Sequence, residues 1–238
     1  MKILGLITAR GGSKGIPRKN IKELLGKPLL RYTVESALEA KSFDRLILST
    51  DDQEIADIAK GLGVEVPFLR PTEFASDTSS HLDVVKHALA WLKEHEAYEP
   101  DAVMILQPTS PTRQPFHIKE ACDLLIADPL ADSVLSVAKT PDAFSSMKIM
   151  HLQDTYLRLL DGSPIYRRVA RRQDLPTEYF SAGLLYLFKS SLVFGDQPNF
   201  YGENTLPYEV EERYLVDIDT PEDWAIAEEK LRQLMGTT

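Results

Sequence analysis

The sequence predicts a doubly wound α/β domain, in which a mainly parallel sheet carries helices on both faces. Two observations support this. Short apolar runs without clean polar alternation recur along the first two thirds of the chain, as expected of strands buried on both faces. Segments of about 10–15 residues with helical periodicity separate them, the spacing of successive βαβ units. In such a fold ligands bind outside the carboxyl ends of the strands.

The elements follow in order. Ile3–Thr8 is the first strand and Leu29–Ala40 the first helix. Arg45–Thr50, RLILST, is a nearly continuous apolar run and reads as a buried strand. Ile55, Ile58, Ala59 and Leu62 fall on one helical face, and Val64–Leu69 reads as a short third strand. Leu82, Val85, Leu89 and Leu92 mark an amphipathic helix that ends near Pro100. Ala102–Leu106 is another buried strand, followed by a Pro/Ser/Thr loop, a helix through Ile118–Ile126 and a strand at Ser133–Val137.

From Lys139 to Glu178 the pattern turns polar and rich in Arg, Asp and Pro, and it contains Asp161-Gly162, a hairpin-turn pair. The stretch is too long for a plain loop and predicts an excursion such as a β-arm. The α/β pattern resumes at Gly183–Phe188 and Tyr214–Ile218 and closes with a helix over Pro221–Leu234. With no internal repeat or linker in view, residues 1–238 read as a single domain with an arm inserted at about 139–178.

A chain of 238 residues, 43% hydrophobic and 26% charged, can bury a full core without disulfides or a structural metal. Cys122 is the only cysteine, so an intrachain disulfide is impossible and a reducing compartment is expected. The first apolar run is too short for a signal h-region or a membrane span. The expectation is a cytoplasmic protein with no membrane contact. A net charge of −9 disfavours nucleic acid as a partner. Its distribution is uneven, however. Arg10, Lys14, Arg18, Lys19 and Lys22 occupy a stretch without acids, and Arg167, Arg168, Arg171 and Arg172 form a second cluster. Local basic patches on an acidic protein suit a small polyanion.

The first of these clusters lies directly after the first strand, in LITARGGSKGIPRKN. Gly11, Gly12 and Gly15 let backbone amides approach a ligand closely, and successive exposed N–H groups form an anion nest to which Arg10, Lys14 and Lys19 add charge. A di- or triphosphate is the expected guest. Gly15 is followed by Ile16 and Pro17, so this is no Walker A loop, and the G-x-G-x-x-G spacing is absent. The bland alternative is a surface turn with solvated lysines. Its place after the first strand, and the lack of any acid across it, weigh against that.

Near the other end, YLVDID reads as a strand in which Asp217 and Asp219 share a face opposite Val216 and Ile218. Two carboxylates side by side repel unless a cation joins them. Mg²⁺ suits such a pair together with substrate phosphates, with a turn cap as the alternative for Asp219. Asp223 differs: Thr220 reads as a helix N-cap, Pro221 as the first helical residue, and the acids after it serve the helix dipole. The five histidines lack metal-ligand spacing, and His81, beside the 70–80 segment, reads first as a solvated loop residue and second as a residue that touches a site there. Trp91, Trp224 and Cys122 read as packing residues.

Taken together, ARGGSKGIPRKN at 9–20, STDD at 49–52, RPTEFASDTSS at 70–80, QPTSPTR at 107–113, RRQDLPTEYFSAG at 171–183 and DIDTPEDW at 217–224 resemble the CMP-sialic acid synthetases, or acylneuraminate cytidylyltransferases. The resemblance covers nearly the whole chain. It implies a Rossmann-like fold of the nucleotide-diphospho-sugar transferase type and a transfer of CMP from CTP to an acidic nine-carbon sugar, with Mg²⁺ as cofactor. It assigns Arg10, Ser13, Lys14, Lys19 and Asn20 to the CTP phosphates, Arg10 and Lys19 with a catalytic share in stabilising charge. Arg70, Ser79 and Ser80 are assigned to cytosine and ribose, Gln107 and Arg172 to the acidic sugar, and Asp217 and Asp219 to the metal. It also implies a homodimer, with the 139–178 excursion as the arm that brings Arg172 toward the partner subunit's site. The family usually reads Asn-Gly where this chain has Ala182-Gly183, so an amide that could bond the sugar is missing. Legionaminic, pseudaminic or a related nonulosonic acid then stands beside N-acetylneuraminic acid. The rival readings are a synthetase for an eight-carbon acid such as Kdo, another sugar nucleotidyltransferase, and a non-catalytic nucleotide-sugar binding protein.

Overall fold

The computed structural model describes residues 1–13, 15–76 and 79–236. β1 (Ile3–Thr8) leads through the glycine-rich loop to a hairpin of β2 (Glu23–Leu24) and β3 (Lys27–Pro28), then to α1 (Leu29–Ala40). β4 (Arg45–Ser49), α2 (Gln53–Gly61), α3 (His81–Glu96), β5 (Ala102–Leu106), α4 (Pro115–Ala127) and β6 (Ser133–Lys139) complete the alternating part. The excursion holds β7 (Met150–Gln153) and β8 (Tyr156–Leu159); β9 (Tyr179–Lys189), β10 (Thr205–Glu209) and α5 (Pro221–Met235) follow.

Six strands form the central sheet in the order β10-β6-β9-β5-β1-β4. β4, β1 and β5 are mutually parallel, as are β6 and β10. β9 runs antiparallel to both of its neighbours, because the excursion returns the chain at the end of the sheet where β6 left it. Lys139 pairs with Tyr179 there, so β6 and β9 are a hairpin whose loop is the arm. The sheet is covered on both faces. Ile3, Ile7, Leu48 and Met104 pack against Val34, Ile55 and Ile118 of α1, α2 and α4. Leu4, Leu6, Ile47 and Val103 turn the other way, onto Val85, Leu89 and Leu92 of α3. A smaller cluster seats Trp224 and Leu231 of α5 on Ile16, Leu24, Val216 and Ile218, and so fixes the glycine loop beside the 216–219 segment.

Three expectations need correction. Val64–Leu69 is not a strand: it makes a single parallel bridge, Ile47 to Glu65, and Pro67 then has no N–H with which to continue the ladder. Tyr214–Ile218 is a short 3-10 turn at Glu212–Tyr214 followed by extended chain, with no strand paired to it among the described residues. Its alternation survives nonetheless, since Val216 and Ile218 are buried while Asp217 and Asp219 face solvent. β10, absent from the expected elements, is an edge strand, which is where its Pro207 can be tolerated.

The excursion is indeed a β-arm, a separate two-stranded sheet. Its hairpin loop is Asp154-Thr155, with Asp154 left-handed at φ 55°. Asp161-Gly162 forms a second turn, in which Gly162 (φ 80°) donates its N–H to Leu159 O at 2.9 Å.

β9 bulges strongly where it passes the bend of β6. Leu135 faces Tyr186, but Val137 faces Ser181, so residues 182–185 leave the ladder while Ala182, Leu184 and Leu185 stay in the core. Ser136 takes over the broken ladder there, donating to Leu185 O and accepting from Leu185 N–H, both at 3.0 Å. Bulges of this kind re-aim side chains beside sites. This one faces Asp217.

His117, in the first turn of α4, is 2% exposed and accepts the Gln114 N–H at Nδ1 (3.0 Å). Burial, then the charges of Arg113 and Arg213, push its pKa down to about 4. The folded value lies below the unfolded one of about 6.5. Its contribution is therefore complete above about pH 6.5 and is lost as pH falls toward 4, on the order of 3 kcal/mol in all. The wild-type urea midpoint is expected to drop across that window and a His117→Phe variant to drop less; equal slopes would refute the assignment.

Candidate active site

The carboxyl ends of β1 and β5 open onto one cleft of about 540 Å³. Its first wall is the glycine loop. The Gly11 N–H donates to Asp51 Oδ1 at 3.0 Å, and a Cβ on Gly11 would lie 2.6 Å from Asp52 Oδ2. Gly15 is pressed against the opposite segment: a Cβ there would stand 2.2 Å from the Asp219 carbonyl oxygen. Only glycine allows either approach. Arg10, Ser13, Lys19 and Asn20 all line the cleft. Asn20, 6% exposed, donates its amide to Arg10 O at 2.9 Å and so shapes the loop from beneath. Lys14 lies outside the described residues.

The second wall carries Arg70. Its N–H donates to Thr50 O at 2.7 Å, which anchors the segment to the end of β4. Its guanidinium is 6% exposed, and Nε and Nη2 have no hydrogen-bond partner among the described residues. Asp51 Oδ1 lies 3.8 Å from Nη2, close enough for attraction but too far for a hydrogen bond. Burial lowers the pKa of this group. Phe74 and Ser79 lie beside it on the cleft, Ser79 donating to Glu73 O at 3.0 Å. Ser80 is placed differently. It caps α3, accepting the Asp83 N–H at 3.1 Å, and is not on the cleft wall.

Gln107 and Thr109, from the loop after β5, form the floor. Gln107 Nε2 lies 3.2 Å from His81 Nδ1. His81, an exposed residue, also lines the cleft, the second of its two readings, and it is the first residue of α3 and not part of a loop. Burial, then Arg70 and Arg10, lower its pKa, so the neutral ring can accept from the amide.

The floor is braced from below by Arg113. This side chain, 2% exposed, donates to Leu184 O at 2.6 Å, Thr33 Oγ1 at 3.0 Å and Gln107 O at 2.7 Å. Burial pushes its pKa down to about 9, so it stays cationic at neutral pH. Ser110 donates to Gly183 O (3.3 Å), and Thr112 to Tyr214 O (2.6 Å). Thr109 O accepts the Ile218 N–H at 2.9 Å. One loop thereby ties together β9, α1 and the aspartate segment.

Asp217 and Asp219 form the remaining wall. Partial removal from bulk water raises the Asp217 pKa against a lowering bond from the Thr109 hydroxyl, and the Asp219 charge raises it further. Asp219 Oδ1 accepts from Lys19 Nζ at 3.0 Å, and the same ammonium donates to Ile218 O at 2.5 Å. The lip and the acids are thus in contact. Asp223 accepts the N–H groups of Thr220 (2.8 Å) and Asp219 (3.1 Å) and caps α5, as its sequence context suggests. A second cavity of about 400 Å³, lined by the β9 bulge, Tyr186 and Leu215, adjoins the first, and Asp217 borders both. Arg172 is remote from the cleft of its own chain: it is 85% exposed on the excursion and ion-paired with Asp142.

A cytidylyltransferase family model matches residues 4–236. The chain belongs to the cytidylyltransferase family. This cytidylyltransferase is 34% identical over 241 residues to the CMP-N,N'-diacetyllegionaminic acid synthase of Legionella pneumophila, with 98% of this chain and 97% of that protein covered. It is 32% identical over 228 residues to the pseudaminic acid cytidylyltransferase of Campylobacter jejuni, covering 95% of each. The N-acylneuraminate cytidylyltransferase A of Danio rerio is 35% identical over 229 residues; 96% of this chain is covered, but it spans only 50% of that protein. The resemblance to the CMP-sialic acid synthetases therefore holds. Among solved structures, a CMP:2-keto-3-deoxy-manno-octonic acid synthetase complexed with CTP matches with a TM-score of 0.71 over 99% of both chains, at 19% identity. That likeness supports the α/β fold. No helix among the described residues is long and apolar enough to cross a membrane.

Sequence reasoning missed Asp51, Phe74, Thr109 and Arg113. STDD and QPTSPTR mark three of them as parts of motifs, but nothing in those strings tells which side chain turns into the protein.

Proposed function

We propose that this protein forms a CMP-activated nonulosonic acid from CTP and the free sugar acid, releasing pyrophosphate. One observation carries the reading. A buried guanidinium with two unpartnered nitrogens lines the same cleft as a cationic glycine loop. Unpaired buried donors are expensive unless a ligand completes them. A pyrimidine carbonyl suits the guanidinium, and a triphosphate the loop.

In this reading the loop amides, Arg10, Ser13, Lys14 and Lys19 hold the phosphates, with Asn20 keeping the loop in shape. Arg10 and Lys19 stabilise charge on the departing pyrophosphate. Arg70 and Ser79 receive the base and ribose. Gln107, oriented by His81 and by the Arg113 brace, faces the acceptor from the cleft floor, and the acceptor reaches past Asp217 into the second cavity. The anomeric hydroxyl then approaches the α-phosphorus beside Asp217, where positioning supplies most of the acceleration.

The two cleft-facing carboxylates fit Mg²⁺, an oxygen-seeking ion that takes one or two carboxylates plus substrate phosphates. Among the described residues no group of three or more His, Cys, Asp or Glu could hold a metal without substrate. Asp217 and Asp219 would hold the ion, which when bound neutralises phosphate charge.

Incubation with CTP, Mg²⁺ and a panel of eight- and nine-carbon 2-keto-3-deoxy acids, with product masses read, tests the reading. A CMP adduct of a nonulosonic acid is expected, and no CMP transfer to any acid would overturn it. Ala182, 8% exposed in the β9 bulge, offers the acceptor a methyl group and no amide. That supports legionaminic- or pseudaminic-type acids as well as N-acetylneuraminic acid.

We also propose a homodimer in which the arm crosses to the partner subunit and delivers Arg172 to its sugar carboxylate. Phe144, Leu152, Tyr156 and Tyr166 are 66%, 69%, 65% and 80% exposed on this arm, an apolar surface that dimerisation would cover. Sedimentation equilibrium is expected to give twice the chain mass; a monomer at micromolar concentration would refute this. The cytoplasm suits the single thiol, Cys122, whose pKa burial pushes up to about 12.

A further inference from the structure

Asp51 does not line the cleft, yet it touches both ends of the nucleotide machinery. Its Oδ1 accepts the Gly11 N–H at 3.0 Å, and the same oxygen faces Arg70 Nη2 at 3.8 Å. Asp51 is the one carboxylate in ion-pair range of this buried guanidinium among the described residues. Its neighbours hold it firmly. Thr50 is fully buried and takes the Arg70 N–H, while Asp52 caps α2 through the Ile55 N–H and pairs with Arg18. The Asp52 carboxylate also fills the space beside Gly11. Asp51 can therefore move little without shifting the lip or Arg70.

We propose that Asp51 is a positioning residue that sets the glycine lip and Arg70 at a fixed separation, so that phosphate and base are grasped together. The inference rests on the nucleotide reading of the cleft. The two functions of its carboxylate are separable. Asp51→Asn keeps an acceptor for the Gly11 N–H and removes the charge facing Arg70. Asp51→Ala removes both.

Binding of CTP, CMP and inorganic tripolyphosphate is measured by calorimetry in wild type and both variants, with thermal unfolding as a control. Asp51→Asn is expected to weaken CTP and CMP on the order of tenfold, the worth of one charge-assisted contact, and to leave tripolyphosphate unchanged. Asp51→Ala is expected to weaken all three. If Asp51→Asn binds CTP and CMP as wild type does, the proposal is overturned. A parallel loss of all three ligands in Asp51→Asn would likewise overturn it, by showing a general loosening in place of selective positioning. Should Asp51→Ala fail to fold, the isosteric variant decides alone. If wild type itself takes up no CTP, the nucleotide reading falls, and this proposal with it.

Discussion

Asp217→Asn is expected to reduce turnover with CTP, Mg²⁺ and sugar acid by at least about a hundredfold, the range for removing a charge-stabilising group from a preorganised site. Its effect on stability is expected to be small and of opposite sign. The carboxyl sits where partial desolvation and the Asp219 charge raise its pKa. For an acid, a folded value above the unfolded one means that the ionised form weakens the fold at neutral pH. An amide relieves that repulsion and can still accept from the Thr109 hydroxyl. The packing at this point belongs to Val216 and Ile218, both buried, and is untouched. Steady-state rates and a thermal melt read the two effects separately. Full turnover in the variant would remove Asp217 from the chemistry, and a collapsed melting temperature would make it a structural residue.

Arg113→Met is expected to do the reverse, unfolding the protein more than it alters the chemistry of each folded molecule. Replacing a buried ion pair by apolar groups is often harmless because both partners leave together. Here the partners are the carbonyl groups of Leu184 and Gln107 and the hydroxyl of Thr33. Leu184 O would lose this donor, and Gln107 O and the Thr33 hydroxyl would keep only their mutual 3.3 Å bond, under a thioether that donates nothing. A loss of about 3–5 kcal/mol follows, a large share of a typical domain's stability. Arg113→Lys recovers only part of it, since an ammonium lacks the planar fork that reaches three acceptors in different directions. Urea unfolding of both variants measures this. A loss below 1 kcal/mol for the methionine variant would show that the loop relaxes to satisfy itself.

Much of the fold was legible from the sequence. The runs at Ile3–Thr8 and Ala102–Leu106 are continuous because both faces of the sheet are covered, and Thr220-Pro221 with Asp223 marked the start of α5 to the residue. What failed turned on partners beyond the reach of local pattern. VEVPFL has strand composition, but Pro67 ends its ladder after one bridge. TLPYE lacks strand composition and still pairs along β6. The 214–219 segment alternates as a strand does because the core beneath it sorts the side chains, although no ladder forms. In the site, the lip and the two aspartates stood out as clustered charge of one sign. Arg113 did not, because an arginine after a polar loop reads as solvent-exposed, and only tertiary closure turns it inward. Ser80 was assigned to the nucleotide, yet its hydroxyl is spent on the α3 cap. Arg172 was assigned to the sugar across a dimer, and its place on the arm, away from the cleft of its own chain, does not conflict with that.

The two prolines that defeated strand recognition share a consequence for assembly. Pro67 lies just outside β4 and Pro207 within β10, at the two rims of the central sheet. The ladder from β10 to β6 is continuous, so the donor that Pro207 lacks is missing from the outward side. A stray strand arriving at either rim meets an interrupted row of amides and cannot zip along it. Self-association by sheet extension is thereby discouraged at both margins, so that any pairing of copies, including the dimer proposed above, has to use another surface.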